Sequence, residues 1–225
     1  MNSSYLLIIL IFIVGLLVQS KLKRVFEKYS RVRAPWGMTG AQIAEKMLRD
    51  NGIYNVRVTS VNGSLTDHFN PANMTVNLSE SVYGECSVSA AAVAAHECGH
   101  AVQHAQGYAP LKLRTILVPV VNFSSMLSQI VIIAGILLIN VIPALFWIGI
   151  IMFAMIFFFS LVTLPVEFNA SHRAVAWLES SGTLSQQELE GAKESLKWAA
   201  MTYVVSAISA LVTLVYYLGF ADRRN

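Results

Sequence analysis

Hydrophobic and polar positions alternate along this chain on two different scales. On the long scale, three stretches contain no charged residue: Met1 to Ser20, Thr115 to Val166, and Ala199 to Ala221. A helix crossing the hydrocarbon core of a bilayer needs about 20 apolar residues. The first and last stretches therefore supply one span each and the middle one supplies two, with Asn140 to Pro143 as the turn between them. The predicted spans are 4–20, 116–139, 143–164 and 199–219.

On the short scale, the intervening segments 21–115 and 165–198 read as folded chain. Thr39-Gly40-Ala41-Gln42 has the form of a capping box, opening a helix with Ile43, Met47 and Leu48 on its apolar face and Gly52 as its stop. Tyr54 to Val61 alternates with period two, and Asn62-Gly63 after it is a strong hairpin signal. Further strands are expected at Leu65–Phe69 and Met74–Leu78, giving a small β-meander with Val76 and Leu78 facing inward. If the last of these is an edge, an extended peptide could pair with its main chain. Ser87 to Gln106 is an alanine-rich helix. Pro165 to about Glu179 predicts another, and Ser185-Gln186-Gln187-Glu188 is a second capping box whose helix runs into the last span. The expected architecture is a mainly α, multi-pass membrane protein forming one domain over 1–225.

Composition agrees: 55% of residues are hydrophobic and 13% charged, with a mean hydropathy of +0.56, far from the ordinary soluble balance. Met1 to Ser20 has no positive charge before it and no A-x-A-like site after it, so it reads as a retained anchor and not a signal peptide. Of the 16 Lys and Arg, eleven fall in 21–115, three in 166–198, and the remaining two are Arg223 and Arg224. This bias predicts the polar segments on the cytoplasmic side of the cell membrane and both termini outside. It also accounts for the pI near 8.9, so no nucleic-acid partner is inferred. Lys21, Lys23, Arg24, Lys28, Arg31 and Arg33 form a juxtamembrane basic stretch suited to anionic lipid head groups. Cys86 and Cys98 lie in the segment assigned to a reducing compartment, and no disulfide is expected between them.

The chemistry-bearing motif is His96-Glu97-Cys98-Gly99-His100. Histidines four apart on a helix share one face, so both imidazoles can reach one ion. A catalytic Zn²⁺ site needs three protein ligands and an open position. Glu97 is placed to take a proton from water and pass it to the leaving amine. Cys98 points to another part of the helix and reads as a core residue. The metzincin pattern would put its third histidine at 106, which is Gln106, and His104 is too far along the same helix. Glu167 is the leading third ligand, because a glutamate at the end of an apolar stretch needs a partner for its charge; His172 and Glu179 are the alternatives. Asp67 and His68 form a further pair: His68 could stabilise an oxyanion, or Asp67 could simply cap a turn.

Several passages together resemble the YugP-type neutral zinc metallopeptidases of bacterial membranes. They are Leu65-Thr66-Asp67-His68-Phe69-Asn70-Pro71, Ser87 to Tyr108, Ala109-Pro110-Leu111-Lys112-Leu113-Arg114, and Leu164-Pro165-Val166-Glu167-Phe168-Asn169-Ala170-Ser171. The resemblance implies a multi-pass zinc protease with a gluzincin-like site: one zinc ion on His96, His100 and Glu167, with Glu97 as base. Glu167-x-x-Ala170 is also similar to a motif of the HtpX-type and CAAX-prenyl membrane proteases, which carry an aspartate where this chain has Ser171. Ser171 and His172 join Asp67 and His68 as candidates to support the ligands or the reacting group.

The expected function is a membrane-anchored zinc endopeptidase acting at the cytoplasmic face on extended segments of a peptide or membrane protein. Two other readings compete. A site-2-type intramembrane protease would need the motif inside a span and a later Asp-Gly. A non-catalytic zinc-binding membrane protein would need a fourth protein ligand and has no use for Glu97.

Overall fold

In the computed structural model the structure describes residues 3–34 and 37–222. Among these, seven helices and one sheet follow in the order α1 (Ser3–Ser30), α2 (Gly40–Asp50), β1 (Arg57–Val61), β2 (His68–Asn70), β3 (Thr75–Ser79), α3 (Glu80–Tyr83), α4 (Val88–Ala105), α5 (Ala109–Leu137), α6 (Pro143–Ser180) and α7 (Gln186–Asp222). Four of the helices, α1, α5, α6 and α7, are long and apolar enough to cross a membrane. The protein is a mainly α, multi-pass membrane protein with a small three-stranded sheet.

The chain forms two compact units, each assembled from separated pieces. One contains 1–17, 112–165 and 202–225; the other contains 18–111 and 166–201. In the first unit, α5 and α6 approach closely because glycines stand at the contacts. A Cβ on Gly135 would lie 2.5 Å from the Phe146 backbone, and one on Gly149 would lie 2.6 Å from the Ile132 side chain. Ile132, Phe146 and Ile150 are buried there, packed against Leu214, Tyr217 and Phe220. Ile116, Phe123, Met126 and Ile130 stay exposed on α5, as expected of a helix whose solvent is lipid.

The second unit has the core of a globular protein. Ile43 and Met47 of α2, Val76 and Leu78 of β3, the alanines of α4, and Ala174 and Leu178 of α6 bury together. Both expected capping boxes are present. Thr39 Oγ1 accepts from Gln42 N–H at 3.3 Å while Gln42 Oε1 accepts from Thr39 N–H at 2.9 Å. Ser185 N–H donates to Glu188 Oε2 at 2.8 Å. The basic stretch is helical through Lys28, α1 continuing to Ser30 with Arg31 and Arg33 beyond its end, and Tyr29 Oη donates to Glu194 Oε2 at 2.7 Å. Gly191 makes room for that contact, since a Cβ there would meet the Tyr29 ring at 2.5 Å.

Two expectations need correction. The helix expected to begin at Pro165 is the continuation of α6, with Pro165 inside it; a proline removes a single backbone donor, and the helix runs on across it. The sheet is not a meander. Its order is β1-β3-β2, with β1 parallel and β2 antiparallel to β3, and β1 and β2 are not paired with each other. Every residue of β3 is buried, and a strand covered on all sides takes the centre. Asn62-Gly63 therefore opens a longer connection, in which Gly63 has φ 103° and Leu65 φ 60°. Asp67 fixes where that connection ends: its Oδ1 accepts from Ser79 N–H at 2.7 Å and from Ser79 Oγ at 3.0 Å. β3, expected as a possible edge, is not one; β2 is.

The Asp67–Ser79 contact yields the first prediction. Asp67→Ala leaves the Ser79 N–H without its charged acceptor, which should cost about 1–3 kcal/mol. Thermal unfolding of the detergent-purified protein should show a lower midpoint, with bound metal unchanged. A wild-type midpoint would remove Asp67 as the anchor of the sheet.

Candidate metal centre

α4 begins at Ser87, whose Oγ accepts from Ala90 N–H at 3.2 Å, a side-chain cap for one of the first free helix donors. From there the helix runs almost wholly buried through Val102 and Gln103. Its alanines let neighbouring elements approach, and so does Gly99. A Cβ at Gly99 would lie 2.6 Å from the Ala170 carbonyl oxygen. At this crossing, residues on the facing sides of α4 and α6 are brought into hydrogen-bond range.

His96, His100 and Glu167 meet there. One possible ligand atom from each lies within 4.8 Å of the others. His96 Nε2 is 3.2 Å from Glu167 Oε2, and His100 Nε2 is 3.6 Å from the same oxygen. The imidazoles stand edge to face with centroids 4.8 Å apart. Glu167 is 2% exposed, and this decides how its charge is borne. Burial alone would raise its carboxyl, but hydrogen bonds from His100 and His96 outweigh that and hold it well below the usual carboxylate range.

The opposite ring nitrogens are also engaged. His96 Nδ1 lies 3.1 Å from Ser171 Oγ, and His100 Nδ1 lies 3.0 Å from Gln103 Oε1. Two imidazole nitrogens and one carboxylate oxygen converging from two helices form a donor set that fits zinc and could hold one ion, with coordination positions to spare.

Glu97, next to His96, is 8% exposed. Its Oε2 accepts from the Phe69 main-chain N–H of β2 at 3.0 Å. Burial pushes its carboxyl up to about 7, partly countered by His96. A carboxyl in that range near neutral pH is suited to taking up and giving back a proton.

The remaining candidates fall elsewhere. Asp67 is occupied by Ser79. His68 is exposed, its Nδ1 2.7 Å from the Thr66 carbonyl and its Nε2 3.3 Å from Asn77 Nδ2. His172 and Glu179 are exposed and outside the cluster. Cys98 is fully buried, its thiol directed at the Ala44 carbonyl at 3.5 Å, and burial pushes that thiol well up. Sequence reasoning missed Gln103, Asn169 and the Phe69 N–H. Gln103 was within reach of it: a glutamine three residues past His100 shares that histidine's face. The Phe69 contact has no signal in the residue types, because any residue supplies a main-chain N–H.

This geometry meets an independent finding. The family described as "Putative neutral zinc metallopeptidase" matches residues 4–222 of the chain. The chain belongs to that family. Consistent with this, it is 46% identical over 200 residues to a protein of Bacillus subtilis (strain 168) named "Putative membrane protease YugP", covering 89% of this chain and 88% of the relative. No solved structure matches the chain. In this multi-pass member of the family the candidate ligands lie on one helix pair, beside the close contact of Gly99 with Ala170.

Gly99→Ala tests whether the ligands depend on that contact. The added methyl meets the Ala170 backbone, which cannot move aside as a flexible side chain would, so the helices must separate. We expect bound zinc, measured by elemental analysis, to fall to a minor fraction of wild type. Full zinc in a folded Gly99→Ala variant would show that the crossing does not set the site.

Proposed function

We propose that the protein is a membrane-anchored zinc endopeptidase that hydrolyses extended peptide segments at the cytoplasmic face, with one zinc ion held by His96, His100 and Glu167 and with Glu97 as general base. The observation that carries this reading is the convergence of two imidazole Nε2 atoms on one Glu167 oxygen, beside a buried Glu97 that is not needed as a ligand. Bound zinc would supply Lewis acidity toward the scissile carbonyl and make water nucleophilic at neutral pH.

The residues of the chain do the rest. Glu97 accepts a proton from the attacking water as its oxygen bonds to the carbonyl carbon. The same carboxyl then gives that proton to the amide nitrogen as the C–N bond breaks. Phe69 N–H holds one Glu97 oxygen, leaving the other for this transfer. Ser171 and Gln103 support the outer nitrogens of the two histidines.

An extended substrate is favoured by the sheet. β2 pairs with β3 on one side only, and its Phe69 N–H reaches Glu97, so the open side of this edge strand runs toward the base. A peptide adding to β2 by main-chain pairing would bring its own carbonyls alongside the proposed metal position. The His104 ring packs 5.6 Å from the Phe69 ring, giving the same region an aromatic wall.

The mechanism separates two variants. Glu97→Gln should lower peptide hydrolysis by about 10²–10⁴-fold, the usual contribution of a general base, with near-stoichiometric zinc. Glu167→Ala should lose the zinc itself, whereas His172→Ala should keep it. Full activity of Glu97→Gln would sink the protease mechanism, and wild-type zinc in Glu167→Ala would sink the ligand assignment.

The cytoplasmic assignment rests on charge. Fourteen of the 16 Lys and Arg lie in 21–115 and 166–198, segments that this reading puts together on the cytoplasmic face. Arg223 and Arg224, on the opposite face in this reading, lie outside the described residues, as does Asn2. In a Cys86→Ser, Cys98→Ala background, Asn225→Cys should react with an impermeant maleimide in intact cells and Ser64→Cys only after lysis. The reverse pattern would put the site outside the cell.

A further inference from the structure

We infer that Gln103 is a positioning residue that fixes the tautomer of His100 and ties it to the backbone beside Glu167. This rests on the metal-centre reading above and assigns a role that the motif itself does not contain.

Gln103 is wholly buried, at 0% exposure, following Ala101 and Val102 on α4. Its side chain makes three polar contacts. Nε2 donates to the Val166 carbonyl at 2.8 Å and to Asn169 Oδ1 at 3.0 Å, and Oε1 lies 3.0 Å from His100 Nδ1. Which end of a glutamine amide is oxygen is normally a matter of inference from its neighbours. Here two neighbours leave no choice. The Val166 main-chain carbonyl can only accept. Asn169 Oδ1 also accepts from Arg173 Nε at 2.7 Å, and arginine can only donate, so that atom of Asn169 is its oxygen.

Both acceptors face the same end of Gln103, which must therefore be the NH₂. Its other end is the carbonyl oxygen, so His100 Nδ1 must carry the proton. In the neutral ring, the form that binds a metal ion, the lone pair of His100 is then on Nε2, the nitrogen directed at Glu167 Oε2. The chain Arg173–Asn169–Gln103–His100 propagates a donor direction from a group that cannot change its protonation to a ligand that could otherwise adopt either tautomer.

His96 has no such constraint. Its Nδ1 faces the Ser171 hydroxyl, which can rotate to donate or accept. The two histidines are thus held differently: His100 in one state by a fully committed amide, His96 by an adaptable hydroxyl. Gln103 also links the ligands to each other, because Val166 immediately precedes Glu167 in α6. Loss of the Gln103 side chain would free both the ring of His100 and the segment that carries the carboxylate.

The test uses zinc affinity of the full-length, detergent-purified protein, measured by competition with a chromophoric chelator, alongside thermal unfolding of the metal-free form. Gln103→Met keeps the length and removes both functions; its affinity should fall about 10–100-fold, the usual effect of losing a partner of a ligating histidine. Gln103→Glu keeps an acceptor for His100 Nδ1–H but turns an oxygen toward the Val166 and Asn169 oxygens. Its metal-free form should melt lower than wild type, yet its zinc affinity should stay within about threefold of wild type or tighten.

A purely structural role would make affinity follow stability in both variants, so tenfold weaker binding by Gln103→Glu would overturn the inference. So would a Gln103→Met variant that binds like wild type. If Gln103→Met does not fold, Gln103→Glu decides alone. His100→Ala is the control: a His100→Ala variant that keeps its zinc would sink the metal-centre reading, and this inference with it. Zinc lost in His100→Ala but unaffected in Gln103→Met would sink this inference alone.

Discussion

The candidate metal ligands stand on two helices, so their spacing depends on how near the helix axes come, and Gly99 faces Ala170 at that crossing. With a Cβ at Gly99 placed 2.6 Å from the Ala170 oxygen, the crossing has no tolerance for even one methyl group. Three features follow from it. Glu167, one turn before Ala170, lies against the face of α4 that bears His96 and His100. Ser171, one residue after, reaches the outer nitrogen of His96. Gln103, one turn after Gly99, reaches Val166 and Asn169. These polar contacts between the two helices lie within about a turn of the glycine. Because interiors are close-packed, a small shift there cannot be absorbed locally.

Such proximity puts several polar groups inside an apolar core, where each is costly unless satisfied. The alanines of α4 contribute no polar atoms and leave little empty volume, so the histidines, the glutamates and Gln103 must satisfy one another or the main chain. Most do so with fixed partners: His96 with Ser171 and Glu167, His100 with Gln103 and Glu167, Glu97 with the Phe69 N–H. A network of this kind holds each group in one orientation. Rigid support matters more to a catalytic site than to a merely stable one, since misplacement by a fraction of an ångström is felt in the chemistry.

Much of this was legible in the residues, for identifiable reasons. Charge-free stretches report spans directly, because the bilayer excludes charge whatever the tertiary structure. Spacing of i, i+4 fixed His96 and His100 on one face, and the two capping boxes appear as written because they depend on four adjacent residues. The sheet was misread because strand order is a long-range property. Asn62-Gly63 favours a tight hairpin, but the burial of all of β3 and the Asp67–Ser79 bond override that local preference. Pro165 misled in the same way: proline suits the first turn of a helix, yet here it lies inside one. Glu167 was legible as a candidate from its place at the end of an apolar run. Ser171 was legible only as a departure from a related motif, and its contact with His96 needed the fold.

The two glutamates show how environment divides labour between identical side chains. Glu97 and Glu167 are both buried in one unit, yet their carboxyls move in opposite directions. Glu167 faces two imidazoles, whose hydrogen bonds favour the ionised form over the cost of burial; such a carboxylate is a ready ligand for a cation and a poor proton carrier. Glu97 has burial as its largest influence, with one main-chain N–H and nearby His96 in partial compensation, and its carboxyl rises to about 7. Pairs of titratable groups pushed apart in this way separate charge-binding from proton-transfer roles. Neither direction follows from the letter E in the sequence. Each follows from what the Gly99 crossing and strand β2 place beside it, and that is why the edge strand is part of the site: without the Phe69 N–H, Glu97 would have no fixed donor in the apolar helix that carries it.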